Sequence, residues 1–331
     1  MTRKMVRVVC RVGPSRPPSL IAVFGLAVIV FTNILPTQTD ALFVLSGARS
    51  AFDHLFKASP PSKTPQELAN VQIARQSSSN DNEASTILAY YCDPENKNAD
   101  EDTDQYRISR NISQLPVLIL IHEFFGLSQS ICDKADALAN ELNCIVIAPD
   151  TFRGESSTFI PKCIWLALST RQEQVNQDLN DVISWVEDKQ RTDQDISSRA
   201  SDNSNSISSK PKLAIMGFCY GGGKAIRYTT QVRPDAATVI CYGSPIVDSA
   251  MLSNLKAPVC GIFGELDMQF PVSQIEEFQN ALSSANVGFD VRVYDDVGHA
   301  FWKDMEQISE GEQPQTDAYK QVTSFLSMYF A

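Results

Sequence analysis

The chain has 331 residues, of which 43% are hydrophobic and 20% charged, the composition of an ordinary globular protein with room for one large domain or two small ones. Its formal net charge is −11, and no Lys/Arg cluster with interleaved aromatics occurs in the body of the chain, which argues against a nucleic-acid partner. None of the eight cysteines forms a CxxC pair, so zinc and dithiol redox sites lack support, and Cys144, Cys241 and Cys260 fall in apolar runs where cysteine acts as a small hydrophobe.

The N-terminus is basic and acid-poor: Arg3, Lys4, Arg7, Arg11 and Arg16 stand against Asp40 alone in residues 1–45. An apolar run at 20–31 follows, continued by Ile34 and Leu35, with no charge between Pro17 and Thr39. This is the form of a targeting segment. The run is long for a signal-peptide core and short of the roughly 20 apolar residues that span a bilayer comfortably. Three readings are open: a cleaved secretory signal or organelle leader, an uncleaved anchor giving membrane association through residues 18–35, or a buried helix of the fold. Residues 46–83, rich in Ser, Pro, Ala and Gln, read as a linker or processed presequence, and 84–331 as the catalytic domain. Asn111-Ile-Ser113 is a glycosylation sequon if the domain is exported.

From residue 84 strand-like and helix-like segments alternate. Residues 86–91 predict a strand, and the acidic stretch 93–105 an exposed hairpin loop. Residues 117–121 form a continuous apolar run, as a strand buried on both faces requires. A helix over 131–142 and a strand over 144–148 follow, then a helix over 172–189 with Val175, Leu179, Val182, Ile183 and Val186 on one face. Residues 191–210, dominated by Ser, Asp and Asn, read as a disordered insertion. Strands are predicted at 213–216, 238–242, 259–263 and 291–294, and a last helix at 317–328. Such alternation predicts an α/β fold, a mostly parallel sheet with helices on both faces.

The segment Gly217-Phe-Cys-Tyr-Gly221 reads G-x-C-x-G directly after a strand and before a helix. A sharp strand-to-helix turn needs glycine neighbours, lifts its central side chain above the sheet, and aims the following amide, that of Tyr220, at a developing oxyanion. Cys219 is therefore the candidate nucleophile. The other reading is a structural cysteine in a glycine-rich turn.

The chain holds three histidines: His54 in the linker-like region, His122 at the end of the 117–121 strand, and His299 past the last strand. In folds with this turn the chain order is nucleophile, acid, histidine, which selects His299 as the base. The acid belongs between them at a strand end. Gly264-Glu-Leu-Asp267 supplies Asp267, with Glu265 its nearest competitor. Asp295 and Asp296 are expected to face solvent.

With these residues in place, the chain resembles the dienelactone hydrolases over roughly residues 84–331. The resemblance implies an α/β-hydrolase fold with a Cys219-His299-Asp267 triad, no metal or organic cofactor, and a small ester or lactone as substrate. Ile121-His-Glu-Phe-Phe-Gly126 is similar to a strand-end motif of that family. By that likeness Glu123 interacts with Cys219 and helps set its ionisation, and the Phe124 amide is the second oxyanion donor. Ala148-Pro-Asp-Thr-Phe-Arg-Gly154 resembles the segment that supplies an arginine for the substrate carboxylate, which places Arg153 in that role. The bland readings are a hydrogen-bonded carboxylate for Glu123 and an ion pair with Asp150 or another acid for Arg153. Where the prototypes have a second arginine, four residues beyond the histidine, this chain has Lys303. The rival functions are a thioesterase or broad carboxylesterase on the same triad, and a non-catalytic, membrane-tethered binding or redox-sensing protein.

Overall fold

A computed structural model describes residues 63–76, 86–94, 112–200 and 211–331. The readings made for residues 1–45, His54, Asn111 and most of the acidic loop lie outside these residues. Among the described residues, no helix is long and apolar enough to cross a membrane.

In chain order the elements are α1 (Pro65–Leu68), β1 (Val71–Ala74), β2 (Thr86–Cys92), a 3-10 turn at Ile112–Gln114, β3 (Val117–Ile121), α2 (Gln129–Leu142), β4 (Ile145–Pro149), α3 (Ile160–Ser169), α4 (Gln172–Ala200), β5 (Leu213–Phe218), α5 (Tyr220–Gln231), β6 (Ala237–Cys241), α6 (Ser249–Leu252), β7 (Val259–Gly264), α7 (Val272–Ser284), β8 (Phe289–Tyr294), α8 (Glu306–Ser309) and α9 (Gln315–Phe330). The strands form one sheet in the order β1-β2-β4-β3-β5-β6-β7-β8. β1–β2 and β2–β4 pair antiparallel, and every other pair is parallel.

The central strands are apolar throughout because both faces are covered. On β3, Leu118 and Leu120 join a cluster with Ile131, Ala135 and Leu138 of α2 and Val322 and Leu326 of α9. Val117, Ile119 and Ile121 of the same strand join Val175, Leu179, Val182 and Val186 of α4 on the other face. Cys144, Cys241 and Cys260 are buried free thiols among these side chains. Burial pushes Cys144 up to about 12, so it is chemically inert at neutral pH.

Two expectations need correction. The stretch 46–83 is not linker throughout, since α1 and β1 belong to the sheet layer. Thr64 and Glu67 form a capping box around Pro65. Ile73 is buried, and the Asn70 side chain both donates to and accepts from the backbone of Tyr91. Helix α4 also runs beyond 189, through the first half of the expected insertion, to Ala200. Once nucleated on a packed face, a helix gains a hydrogen bond for each residue added. Gln190 ties this region to the Ile112 and Leu115 carbonyls, and Asp193 accepts from the Ile112 amide at 2.9 Å. Residues 201–210 lie outside those described.

Candidate active site

The turn between β5 and α5 can be built only with glycine at its flanks. A Cβ on Gly217 would fall 2.2 Å from the Gly221 backbone, and one on Gly221 would fall 2.3 Å from the Ile121 carbonyl. Cys219 itself is left-handed, with φ 52° and ψ −112°, and its amide donates to the Cys241 carbonyl at 2.9 Å. A non-glycine residue held there costs energy that the surrounding packing must offset, and such strain clusters at functional sites. The sulfur stands at the C-terminal edge of the sheet beside the N-terminus of α5, whose first amides have no intrahelical partner.

Three side chains meet there from three loops. His299 Nε2 lies 2.9 Å from Cys219 Sγ, and His299 Nδ1 lies 2.7 Å from Asp267 Oδ2. Asp267 is only 3% exposed, and its other oxygen accepts from the Gln269 and Phe270 amides, which fixes its orientation. Burial opposes the charged imidazole, but the Asp267 and Cys219 bonds prevail and raise His299 to about 10. A histidine so held stores a proton opposite the sulfur. The competing acid, Glu265, is exposed and accepts from the Asp296 amide instead, and Asp295 and Asp296 face solvent.

Glu123 and Phe124 follow β3 in a turn closed by the Gly126 amide on the Glu123 carbonyl. Glu123 keeps some solvent contact as a residue, yet its carboxyl group is desolvated. That pushes it above the ordinary range, against Lys134, His299 and the Tyr242 hydroxyl. Glu123 Oε1 lies 3.3 Å from the Tyr242 hydroxyl, which is 3.0 Å from the Trp302 carbonyl.

Arg153 does not stand alone. Its guanidinium lies 3.8 Å from Asp178, a buried carboxylate that Arg75 also engages at 3.1 Å. The pairing with another acid, one of the two readings made from sequence, is what the structure contains. Lys303 is exposed, and its main chain is anchored through Gln307, Ser130 and Lys134.

Three residues near the site escaped the sequence reading. His122 was set aside as a base by chain order. It is fully buried, its Nδ1 donates to the Glu123 carbonyl at 2.6 Å, and its Nε2 accepts from the amide and hydroxyl of Thr151. Burial pushes it down to about 4, so it serves as a neutral clamp on the Glu123–Phe124 turn. Tyr242 is the second. Lys134 is the third, and its signal was present in the sequence: it sits at helical spacing among Ile131, Ala135 and Leu138, where a charge is out of place. Among the described residues, no group of His, Cys, Asp and Glu could hold a metal ion.

Comparison with known proteins agrees with this architecture. The family model "Dienelactone hydrolase family" matches residues 103–330. Relatives named "Putative carboxymethylenebutenolidase" from Escherichia coli O157:H7 and Salmonella typhimurium are each 30% identical over 229 residues, covering 65% of this chain and 78% of theirs. A solved structure titled "Putative Dienelactone Hydrolase from Klebsiella pneumoniae" superposes with a TM-score of 0.56 at 24% identity, covering 78% of this chain and 97% of that one, which supports the fold. The chain belongs to the dienelactone hydrolase family, with the α/β-hydrolase fold of that family and its hydrolytic class of activity.

Proposed function

We propose that this protein hydrolyses a small ester or lactone through a thioester acyl-enzyme on Cys219. The observation that carries the reading is the unbroken line from Cys219 through His299 to Asp267, at 2.9 and 2.7 Å, on a strained strand-to-helix turn. The sulfur attacks the substrate carbonyl as a thiolate, opposite the proton that His299 already holds. The amides of Tyr220 and Phe124 receive the oxyanion, a contribution of about 3–4 kcal/mol for a single donor of this kind. Collapse of the adduct breaks the C–O bond, and imidazolium protonates the leaving alkoxide. His299, now neutral and oriented by Asp267, removes a proton from water, which attacks the thioester and expels the thiolate opposite the imidazolium. In a lactone the leaving alkoxide stays attached to the acyl group, so one hydroxy acid is the product. Glu123 adjusts the ionisation of the sulfur from beside His299.

A second reading, a thioesterase or broad carboxylesterase on the same residues, draws on two observations. Arg153 is engaged by Asp178, which weakens it as a reader of a substrate carboxylate. Leu266 and Met268, on either side of Asp267, are 59% and 84% exposed, apolar side chains on the turn that carries the acid.

The test is turnover of a panel of lactones, activated esters and thioesters by the wild type, Cys219→Ala and His299→Ala. Both variants should lose at least about 10³-fold in kcat. Full activity in Cys219→Ala would sink the reading. Rates on thioesters exceeding those on lactones would select the second reading over the first.

A further inference from the structure

The loop that carries Arg153 is held from a part of the chain that precedes residue 103, where the family match begins. Asp150 starts this loop and accepts from the Phe152 amide at 3.0 Å and from the Gly154 amide. Within that turn Arg153 is left-handed, with φ 58°. The loop packs on the residue after the nucleophile: the Thr151 and Tyr220 hydroxyls are 3.3 Å apart, and the Phe152 and Tyr220 rings 5.0 Å. Gln66 of α1 donates to the Gly154 carbonyl at 3.1 Å. A Cβ on Gly154 would fall 2.7 Å from that side-chain nitrogen, so glycine is what lets the two segments approach.

Arg75, the residue after β1, makes a second connection. Its Nη2 donates to Asp178 Oδ2 at 3.3 Å and its Nε lies 3.1 Å from Oδ1, so one guanidinium spans both oxygens of the carboxylate. Arg153 reaches Oδ1 alone, at 3.8 Å. Exposure divides the two arginines in the same sense. The side chains of Arg75 and Asp178 are 4% and 1% exposed, and that of Arg153 is 22% exposed. A carboxylate buried so deeply needs a cation, and removing one partner leaves a charge the fold must satisfy elsewhere. Arg75 meets that need with its fork. Arg153 has the looser hold and a path to solvent. Without Arg75, Asp178 would draw the Arg153 guanidinium onto both of its oxygens.

We propose that Arg75 is a positioning residue for substrate selection: by occupying Asp178 it leaves Arg153 able to turn to a carboxylate on the substrate, while Gln66 fixes the loop that carries Arg153. The inference rests on the reading of this protein as a hydrolase of carboxylate-bearing esters or lactones. It makes the Arg153–Asp178 contact a resting arrangement, and it assigns the preference for a charged substrate to residues ahead of the matched span. Arg75 touches neither the substrate nor the reacting atoms, so its effect belongs in KM and not in kcat.

The test is steady-state hydrolysis of two 4-nitrophenyl esters by the full chain, one the mono-ester of glutaric acid and the other the neutral butyrate. It compares the wild type, Arg153→Met, Arg75→Met, and Arg75→Met combined with Asp178→Asn. Arg153→Met should raise the glutarate KM by at least about five-fold. Arg75→Met should raise it as much although Arg153 is intact, with the butyrate KM and both kcat values within about two-fold of wild type. In the double variant no carboxylate is left to draw Arg153 away, and the glutarate KM should return to the wild-type value. An unchanged glutarate KM in Arg75→Met overturns the proposal, as does an equal rise for butyrate or a double variant that does not recover. If Arg75→Met does not fold, Arg75→Lys reads the same effect. An ammonium cannot span both oxygens, so its glutarate KM should rise at least about two-fold, and a wild-type value overturns the proposal. Alkylation of Cys219 gives a readout that does not depend on turnover. The ratio of its rate with iodoacetate to that with iodoacetamide should fall in Arg75→Met and recover in the double variant. A wild type that turns over neither ester counts against the hydrolytic reading, whereas an alkylation ratio indifferent to Arg75 sinks only the role of Arg75.

Discussion

Asp267 and Glu265 stand two positions apart on one turn, and their environments separate them. Asp267 is buried and locked by two backbone amides, with its free edge on His299 Nδ1, whereas Glu265 is exposed and serves the Asp296 amide. Asp267→Asn should lower kcat by about 10³–10⁴-fold, because an amide no longer enforces the Nδ1–H tautomer or balances imidazolium. Glu265→Gln should leave kcat within about two-fold, and steady-state kinetics on one activated ester would check both. The reverse ranking would move the acid to Glu265. His299 could be singled out from sequence because the chain is poor in histidine and the order of groups along it is constrained. His122 and Tyr242 were not, since each acquires its role through partners 29 to 119 positions away along the chain. No local pattern carries such pairings.

At the scale of elements, the ends of β3 and β4 meet in a buried His122–Asp150 contact of 3.8 Å whose two members titrate in opposite senses. Burial pushes His122 down to about 4, so between there and its ordinary value the unfolded chain takes up a proton that the fold refuses. That contribution to stability is complete above pH 6.5 and lost as pH falls towards 4. Burial pushes Asp150 up to about 6, against the Gly154 and Phe152 amides, so the fold holds a proton that the unfolded chain releases. Its stabilisation is present below the ordinary aspartate value and lost as pH rises through 6. The two slopes nearly cancel between pH 4 and 6. Asp150→Asn, which can still accept from Phe152, should expose the His122 slope of about 1.4 kcal/mol per pH unit, with stability rising with pH. His122→Gln should expose the opposite slope. Urea melts at pH 4, 5 and 6 would decide, and a flat profile in both variants would refute the assignment. The short apolar strands were legible because strands buried on both faces have few other sequences open to them. β1 was not, because four residues in a Ser- and Gln-rich setting carry too little periodicity, although the Thr64-Pro-Gln-Glu67 capping signature announced a helix just ahead of it.

For the molecule as a whole, the family match begins at residue 103, after β1 and β2, so the antiparallel edge of the sheet lies beyond the matched span. Its stability therefore has to come from contacts this chain makes for itself. β1 buries Ile73, pairs its backbone with β2 from Val71 to Ala74, and carries the chain to Arg75, which reaches buried Asp178 on α4. A chain truncated to begin at Thr86 loses all three and leaves Asp178 with one guanidinium partner fewer. It also turns β2 into an unprotected sheet edge, a surface prone to pairing with other chains. The loss of Ile73 burial alone is worth about 1.5–3 kcal/mol. Each kcal/mol lowers the melting temperature of a domain this size by about 2–4 °C. A chain beginning at Lys63 should accordingly melt about 5–10 °C above one beginning at Thr86 and stay monodisperse at concentrations where the shorter one aggregates. The fraction of the shorter chain that folds should keep its kcat, because Cys219, Asp267 and His299 are carried by the loops after β5, β7 and β8, across the sheet from β1. Scanning calorimetry and light scattering on the two chains would measure this. Equal melting temperatures would mean that β1 and Arg75 add nothing, and that residues 46–83 act as the linker their composition suggests.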